Sequence, residues 1–504
     1  MAFARTYGAQ THFLEARLVS VEVDISKGLH SFSIVGLPNK AVEEARDRVS
    51  AALKNCGFKS PKQTNSKITV SLAPANLKKE GPSFDLAIAI GYLLASGSIA
   101  CDPEGRIFAG ELSLDGRIRP IHGVLSYAHM AMSHHIRELY VPKENATEAA
   151  MIPGLKVFPL SHLRELIDHL EGRISLKTAE PEFHDEGKET SITELDDIVG
   201  NETAKRGLII AAAGGHNIAL FGPPGTGKTM LARAFQGLLP SLTPKESLEV
   251  TSIYSTTGNL KGSIIRTPQM RAPHHNASRT AVIGGGPIPK PGEATLAHRG
   301  ILFMDEFPEF SRETIESLRQ PMEERSVVIS RTNLSCRFPS HFILIVAFNP
   351  CPCGHHGSAG KTCLCTPRDR ARYHNKISGP IIDRIDLWIE VSKIDHARLT
   401  YRKNSDSETI RGRKTVALAR KAQEQRYEKE GKLNSDAVIR DSIDAMKLSG
   451  AANDILKKAG EADGMSGRGY HRIIRLSRTI ADIEGTEQIE TRHVLEALQY
   501  RKKG

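Results

Sequence analysis

Aromatic side chains are scarce in this chain: 5% of 504 residues, with a single tryptophan, Trp388. That scarcity argues against an aromatic-rich binding surface. There is also no apolar run long enough to span a bilayer. The opening residues, Met1-Ala-Phe-Ala-Arg-Thr-Tyr-Gly8, lack the apolar region of a signal peptide, so a cytoplasmic location without a membrane partner is expected. Cysteines number only seven, an odd count, and four of them cluster. In that compartment a metal site is a better expectation than a disulfide framework. Acidic residues are in deficit, 58 against 68 Lys and Arg, leaving a net charge of +10. Such a balance favours a polyanionic partner such as nucleic acid, although a basic protein without one has the same charge.

What is present begins with a loop. Gly222-Pro223-Pro224-Gly225-Thr226-Gly227-Lys228-Thr229 follows an apolar strand-like run, Asn217–Phe221, and precedes a helix-like segment, Met230–Phe235. G-x-x-x-x-G-K-[ST] between a strand and a helix is the phosphate-binding loop. Its glycines let backbone N–H groups face a polyphosphate, and the helix N-terminus adds partial positive charge there. Lys228 is the candidate for the β/γ-phosphates of ATP, and the Thr229 hydroxyl for Mg²⁺.

Downstream, Gly300-Ile-Leu-Phe-Met-Asp305-Glu306 reads as a buried parallel strand ending in two carboxylates. Ligands gather at the carboxyl ends of such strands. Asp305 is placed to hold Mg²⁺ and Glu306 to polarise the attacking water. The next apolar strand, His341–Phe348, ends in the polar Asn349 at the same edge of the sheet, where a capping Asn is one reading of it.

The regions around this core are of mixed character. Residues 1–173 alternate short strand-like and helix-like segments, an α/β or α+β pattern. Ala16–Asp24 alternates with period two, Lys40–Cys56 and Phe84–Leu94 read as helices, and Arg106–Leu114 with Asp115-Gly116 reads as a hairpin. Residues 174–190 are polar and acidic, a linker. Residues 191–392 hold the nucleotide motifs, and 393–504 are helical and charged, a candidate lid. Arg325–Phe338 alternates like a β-hairpin with Thr332-Asn333 near its tip.

Cys351-Pro-Cys353 and Cys363-Leu-Cys365 are joined by a Gly-rich turn and offer four thiolates to one Zn²⁺, with His355 and His356 as substitutes. Their spacing departs from the usual C-x₂₋₄-C, and free buried thiols are the alternative. The His274-His275 pair has no partner ligands at a metal-binding spacing, so polar packing or a nucleotide-linked loop is expected.

Together these motifs resemble the magnesium chelatase-like AAA+ ATPases, of which Arg271-Ala-Pro-His-His275-Asn-Ala-Ser278 and Ile283-Gly-Gly-Gly286 are characteristic. On that likeness Asn349 resembles the sensor-1 residue. Ser378-Gly-Pro-Ile-Ile-Asp-Arg384 resembles the arginine-finger segment, with a salt bridge from Arg384 to Asp383 or Asp386 as the ordinary alternative. Gly464-Met-Ser-Gly-Arg468 resembles sensor 2. In residues 1–173, Lys79-Glu-Gly-Pro-Ser83 and Gly110–Val124 resemble the serine loop and the segment leading to the catalytic lysine of Lon-type proteases. The lysine itself is replaced by Leu125, so an inactive domain is expected, with Ser83 serving as a helix N-cap.

The combination is similar to the ComM (YifB) family over essentially the whole chain. That resemblance implies an AAA+ P-loop core with a helical lid behind a Lon-protease-like α+β domain. It also implies a hexameric ATPase driving DNA branch migration in recombination and natural transformation. Related helicases place hairpins in the ring pore, which makes Lys290, Arg331 and Arg337 candidates for phosphate contacts with single-stranded or branched DNA, although a solvated surface hairpin is as good a reading of any one of them. A magnesium-chelatase-like subunit for metal insertion and a Lon-like ATP-dependent protease are the alternatives.

Overall fold

The computed structural model describes residues 3–181, 193–260, 264–287, 289–331, 334–356, 362–393, 407–437, 446–462 and 464–502, except for the side chains of Arg331 and Leu334. Most of the acidic linker and the tip of the 325–338 hairpin lie outside them. The chain forms two compact units, one of residues 1–185 with 247–265, the other of 186–246 with 266–504.

The first unit is built on a four-stranded sheet in the order Phe3–His12, Glu15–Lys27, Ser66–Ala73, Ser31–Val35. Period-two alternation does what it should: Val19, Val21 and Val23 are all fully buried. The helix Asp85–Ala95 is almost wholly apolar and sits in the core. Its one charged residue, Asp85, is fully buried and accepts two hydrogen bonds from Arg48, at 2.6 and 2.9 Å, and one from the Leu112 N–H. Such pairing and backbone donation are what make a buried carboxylate tolerable. Residues 247–265 pack here as well, with Ser252 Oγ 3.1 Å from Ser126 Oγ.

Three expectations are corrected in this unit. The segment Arg106–Leu114 does not form one arm of a hairpin. Arg106–Phe108 pairs in parallel with Glu138–Pro142, and only Glu111–Leu112 turns back on Ile118–Arg119. The span 40–56 is two helices, Lys40–Glu43 and Ala45–Asn55. Ser83 is not a helix cap. Its hydroxyl donates to the Ala9 carbonyl at 3.2 Å, and the following helix starts without a side-chain cap. A hydroxyl this buried takes the nearest strand acceptor and leaves the helix N–H groups to other partners.

The second unit carries a five-stranded parallel sheet. Its order is Met270–Arg271, Ile301–Met304, Ile343–Phe348, Ile218–Phe221, Leu387–Glu390. The strands read as continuous apolar runs because both faces are covered; every residue of Ile301–Met304 and Ile343–Phe348 is buried. The helices Glu202–Gly214, Lys228–Leu238, Glu408–Tyr427, Gly467–Ile483 and Thr491–Gln499 contribute to the same core. Asp196 fixes the start of Glu408–Tyr427. Its carboxylate accepts from the N–H groups of Glu408 and Thr409, at 2.7 and 3.1 Å, and from the hydroxyls of Ser407 and Thr409, both at 2.8 Å. An acid at a helix N-terminus is favoured by the dipole and by the free N–H groups there.

Asp386, at the entry to the last sheet strand, sits 3.4 Å from His216 Nδ1 and accepts from the Asn217 N–H. Burial alone would raise its carboxyl; the His216 hydrogen bond and the charges of Arg475 and Arg472 overcome this and bring it down to about 2. The folded value lies below the unfolded one, so the stabilisation is complete above about pH 4 and is lost as the pH falls through about 2. We expect Asp386→Asn to remove roughly 2 kcal/mol of the acid-dependent stability between those limits, read by denaturant unfolding at stepped pH.

Candidate active site

The sheet register brings the predicted residues to one edge. Phe221 pairs with Phe348, and Met304 with Val346, so Gly222, Asp305 and Asn349 all leave the carboxyl ends of adjacent strands. Gly222 has no room for a side chain: a Cβ there would lie 2.2 Å from the Val391 carbonyl oxygen. The loop that follows runs straight into the helix Lys228–Leu238.

Lys228 is buried, and its ammonium donates to the Gly222 and Pro223 carbonyls at 2.7 and 2.8 Å and to Asn349 Oδ1 at 3.1 Å. Burial lowers its pKa, partly opposed by Asp305. The ammonium is thus held inside the loop by acceptors that a polyphosphate would outcompete. The Thr229 hydroxyl donates to Asp305 Oδ2 at 2.9 Å. A hydroxyl and a carboxylate that meet at this distance form the hard-oxygen pair that suits Mg²⁺. Thr226 closes the turn onto the Pro223 carbonyl at 2.9 Å.

Glu306 follows with a positive φ of 51°, a left-handed backbone that turns its side chain out from the strand end. Its carboxylate is 3.0 Å from His275 Nδ1. The link places one member of the His pair at the nucleotide edge. His274 lies against it, the ring centroids 4.1 Å apart and the planes tilted by 35°. The sequence signal for this contact is position alone, since His275 lies just beyond the strand that neighbours Ile301–Met304. As a positioning residue, His275 carries a clear prediction. With Glu306 read as the group that polarises the attacking water, His275→Ala should lower kcat for ATP roughly ten- to a hundredfold and leave KM nearly unchanged.

The two arginines meet at a residue that the motifs do not mark. Arg384 pairs with Glu323 and donates to the Pro380 carbonyl, and Arg468 lies 3.3 Å from the same Glu323 carboxylate. Arg384 therefore takes Glu323, from the helix Arg319–Glu324, in preference to Asp383 or Asp386. No sequence motif points to Glu323; only the fold brings it within reach of Arg384, 61 positions further on, and of Arg468.

All four clustered cysteine sulfurs lie within 4.8 Å of one another. The Sγ separations are 3.4 Å for Cys351 and Cys353, and 3.7 Å from each of these to Cys363. Four sulfurs around tetrahedral zinc at about 2.3 Å would stand about 3.8 Å apart.

Of the DNA candidates, Lys290 is exposed on the short strand Lys290–Pro291. Arg337 lies on the hairpin Ser326–Arg331 with Leu334–Pro339 and donates to Ser326 Oγ at 2.8 Å. The side chain of Arg331 is outside the described residues.

A parallel sheet in this order, with a phosphate loop and paired strand-end carboxylates, is the arrangement of a P-loop ATPase, and family models specify the magnesium-chelatase type. Residues 194–399 match the magnesium chelatase subunit ChlI model, 21–145 a second model for subunit ChlI of Mg-chelatase, and 404–501 the ChlI C-terminal model. The chain is 42% identical to competence protein ComM of Haemophilus influenzae, covering 99% of this chain and 98% of that protein. It is 41% identical to the uncharacterized protein YifB of Escherichia coli, over 96% and 94%. The magnesium-chelatase 38 kDa subunit of Rhodobacter capsulatus is 30% identical over 30% of this chain and 49% of its own length. The chain belongs to the ComM (YifB) family of magnesium chelatase-like proteins.

Proposed function

We propose that this protein is a cytoplasmic ATP-driven motor, a hexameric ring that promotes branch migration of DNA during recombination and natural transformation. The convergence of Lys228, Thr229, Asp305, Glu306 and Asn349 on one sheet edge carries the reading. Full-length likeness to a protein named for competence supports the DNA side.

In this mechanism Lys228 exchanges the Gly222 and Pro223 carbonyls for phosphate oxygens, while Thr229 and Asp305 hold Mg²⁺ between them. Held by Thr229 and Asp305, Mg²⁺ would supply positive charge to the transferring phosphoryl group. Glu306 orients the water from its position beside His275, and Asn349 fixes the γ-phosphate side. Arg468 acts on its own subunit's nucleotide and Arg384 on a neighbour's. Lys290, Arg331 and Arg337 take backbone phosphates of DNA. Cys351, Cys353, Cys363 and Cys365 hold one structural zinc.

We read residues 1–173 as an inactive Lon-like domain. Leu125 stands where the lysine would be, buried among aliphatic residues, and Ser83 is bonded to the backbone. A second reading, an ATPase subunit for metal insertion, is favoured by the family models, one of which matches residues 21–145 of the first unit, whereas the likeness to the magnesium-chelatase 38 kDa subunit covers 30% of this chain. Stimulation of ATP hydrolysis by three- or four-way DNA junctions tests the choice. A rate unchanged by junctions returns the metal-insertion reading.

A further inference from the structure

The cysteine knuckle is joined to the nucleotide site by covalent and packing contacts that a remote structural clip would not need. Only Pro350 separates Asn349 from Cys351, and Asn349 is the residue that accepts from Lys228. Cys351 is fully buried. Its carbonyl accepts from the Gly354 N–H at 2.9 Å, closing a tight Cys-Pro-Cys-Gly turn, and its sulfur accepts from the His356 N–H at 3.4 Å. N–H donors to sulfur favour the thiolate that a metal requires.

The turn lies against the phosphate loop. Gly354 has φ 79°, and a Cβ there would stand 2.9 Å from Pro224 Cδ and 3.8 Å from Asn349 Cγ. Glycine is needed twice over, for the backbone and for the close approach. On its other side Pro350 is held by the ring of His374, Nε2 lying 3.0 Å from its carbonyl oxygen. The second thiol pair, Cys363 and Cys365, reaches this turn from further along the chain. Four thiols this close can give one divalent cation four thiolate ligands. A metal bound there would cross-link the second thiol pair to the turn that lies on Pro224 and Asn349.

We propose that zinc held by Cys351, Cys353, Cys363 and Cys365 sets the position of Asn349 and of the phosphate loop, so that zinc and nucleotide strengthen each other's binding. The proposal rests on the zinc and nucleotide readings above. Coupling between sites is reciprocal. If zinc raises nucleotide affinity by some factor, nucleotide raises zinc affinity by that same factor.

The test uses the full-length protein. Zinc is counted by elemental mass spectrometry, then withdrawn into a chelating dye with and without Mg-ADP, and fluorescent ADP affinity is measured before stripping, after it, and after zinc is returned. We expect one zinc per chain, about tenfold weaker ADP binding in the stripped protein, recovery on re-addition, and an equal ADP-dependent gain in zinc affinity. The variant Gly354→Ala keeps all four thiols but lifts the turn from Pro224. It should retain zinc and lose ADP affinity, and it decides the matter if the stripped chain unfolds. Zinc found in the untreated protein, with ADP affinity unchanged after stripping or in the variant, overturns the coupling and leaves the zinc reading standing. Protein purified without zinc overturns both. No ADP binding by untreated protein removes the nucleotide site and the proposal with it.

Discussion

Replacing Lys228 by alanine should reduce steady-state ATP hydrolysis by roughly a hundredfold or more. The lysine is the one cation inside the phosphate loop, and it already bridges that loop to Asn349. Removing it takes positive charge from the place where the γ-phosphoryl group leaves and frees Asn349 from its partner. In phosphoryl transfer, positioning and charge supply nearly all the catalysis. Nucleotide affinity should fall as well, since the same ammonium would bind ground-state phosphates. Glu306→Gln separates the two effects. It should abolish turnover while ATP binding survives, because Glu306 lies at the strand end beside His275 and has no contact with Lys228 or Thr229 among the described hydrogen bonds. Steady-state hydrolysis and fluorescent-nucleotide titration of both variants check this. Turnover unchanged in both defeats the site assignment.

Replacing Arg384 by alanine is expected to cost roughly a thousandfold in kcat with nucleotide binding retained. Within its own chain Arg384 is nearly buried and is bonded to Glu323 and Pro380, neither of them part of the phosphate loop. In the proposed ring, an arginine so held would serve catalysis by release to a neighbouring subunit's nucleotide, where its fixed positive charge would meet the transferring phosphoryl group. Glu323 also faces Arg468, so one carboxylate lies against both cations. The two inactive variants should complement each other. In a mixture of Lys228→Ala and Arg384→Ala chains, some interfaces pair an intact Lys228 with an intact Arg384, and part of the activity returns. A mixture as inactive as its components would place Arg384 in its own subunit's site or in structure alone.

The parts of this site that could be read in the sequence are those fixed by local chemistry. A Gly-rich turn after a strand, an apolar run ending in Asp305-Glu306, and another ending in Asn349 each carry their function within a few residues. Parallel strands bury both faces, so their apolar continuity showed as well. Contacts made only by the fold did not show. Glu323 lies in a segment with no motif, and its role depends on two arginines brought from residues 384 and 468. His275 was visible as half of a pair, but its partner Glu306 is 31 positions away. The cysteine quartet was legible as a set, whereas the press of Gly354 on Pro224 was not. In the first unit, Ser83 shows the limit of cap rules, because a buried hydroxyl chose a strand carbonyl across 74 residues over the N–H groups of the helix it precedes. Arg106–Phe108 shows the limit of turn rules, since Asp115-Gly116 did set a turn but only for the two-residue strand nearest it.

The claim that this ATPase drives DNA is tested most directly by one measurement: dissociation of a labelled three-way DNA junction by the purified full-length protein, with ATP hydrolysis followed in the same sample. We expect junction-stimulated hydrolysis and ATP-dependent separation of the strands, both absent in Glu306→Gln. Hydrolysis indifferent to the junction, with the strands left paired, would contradict it.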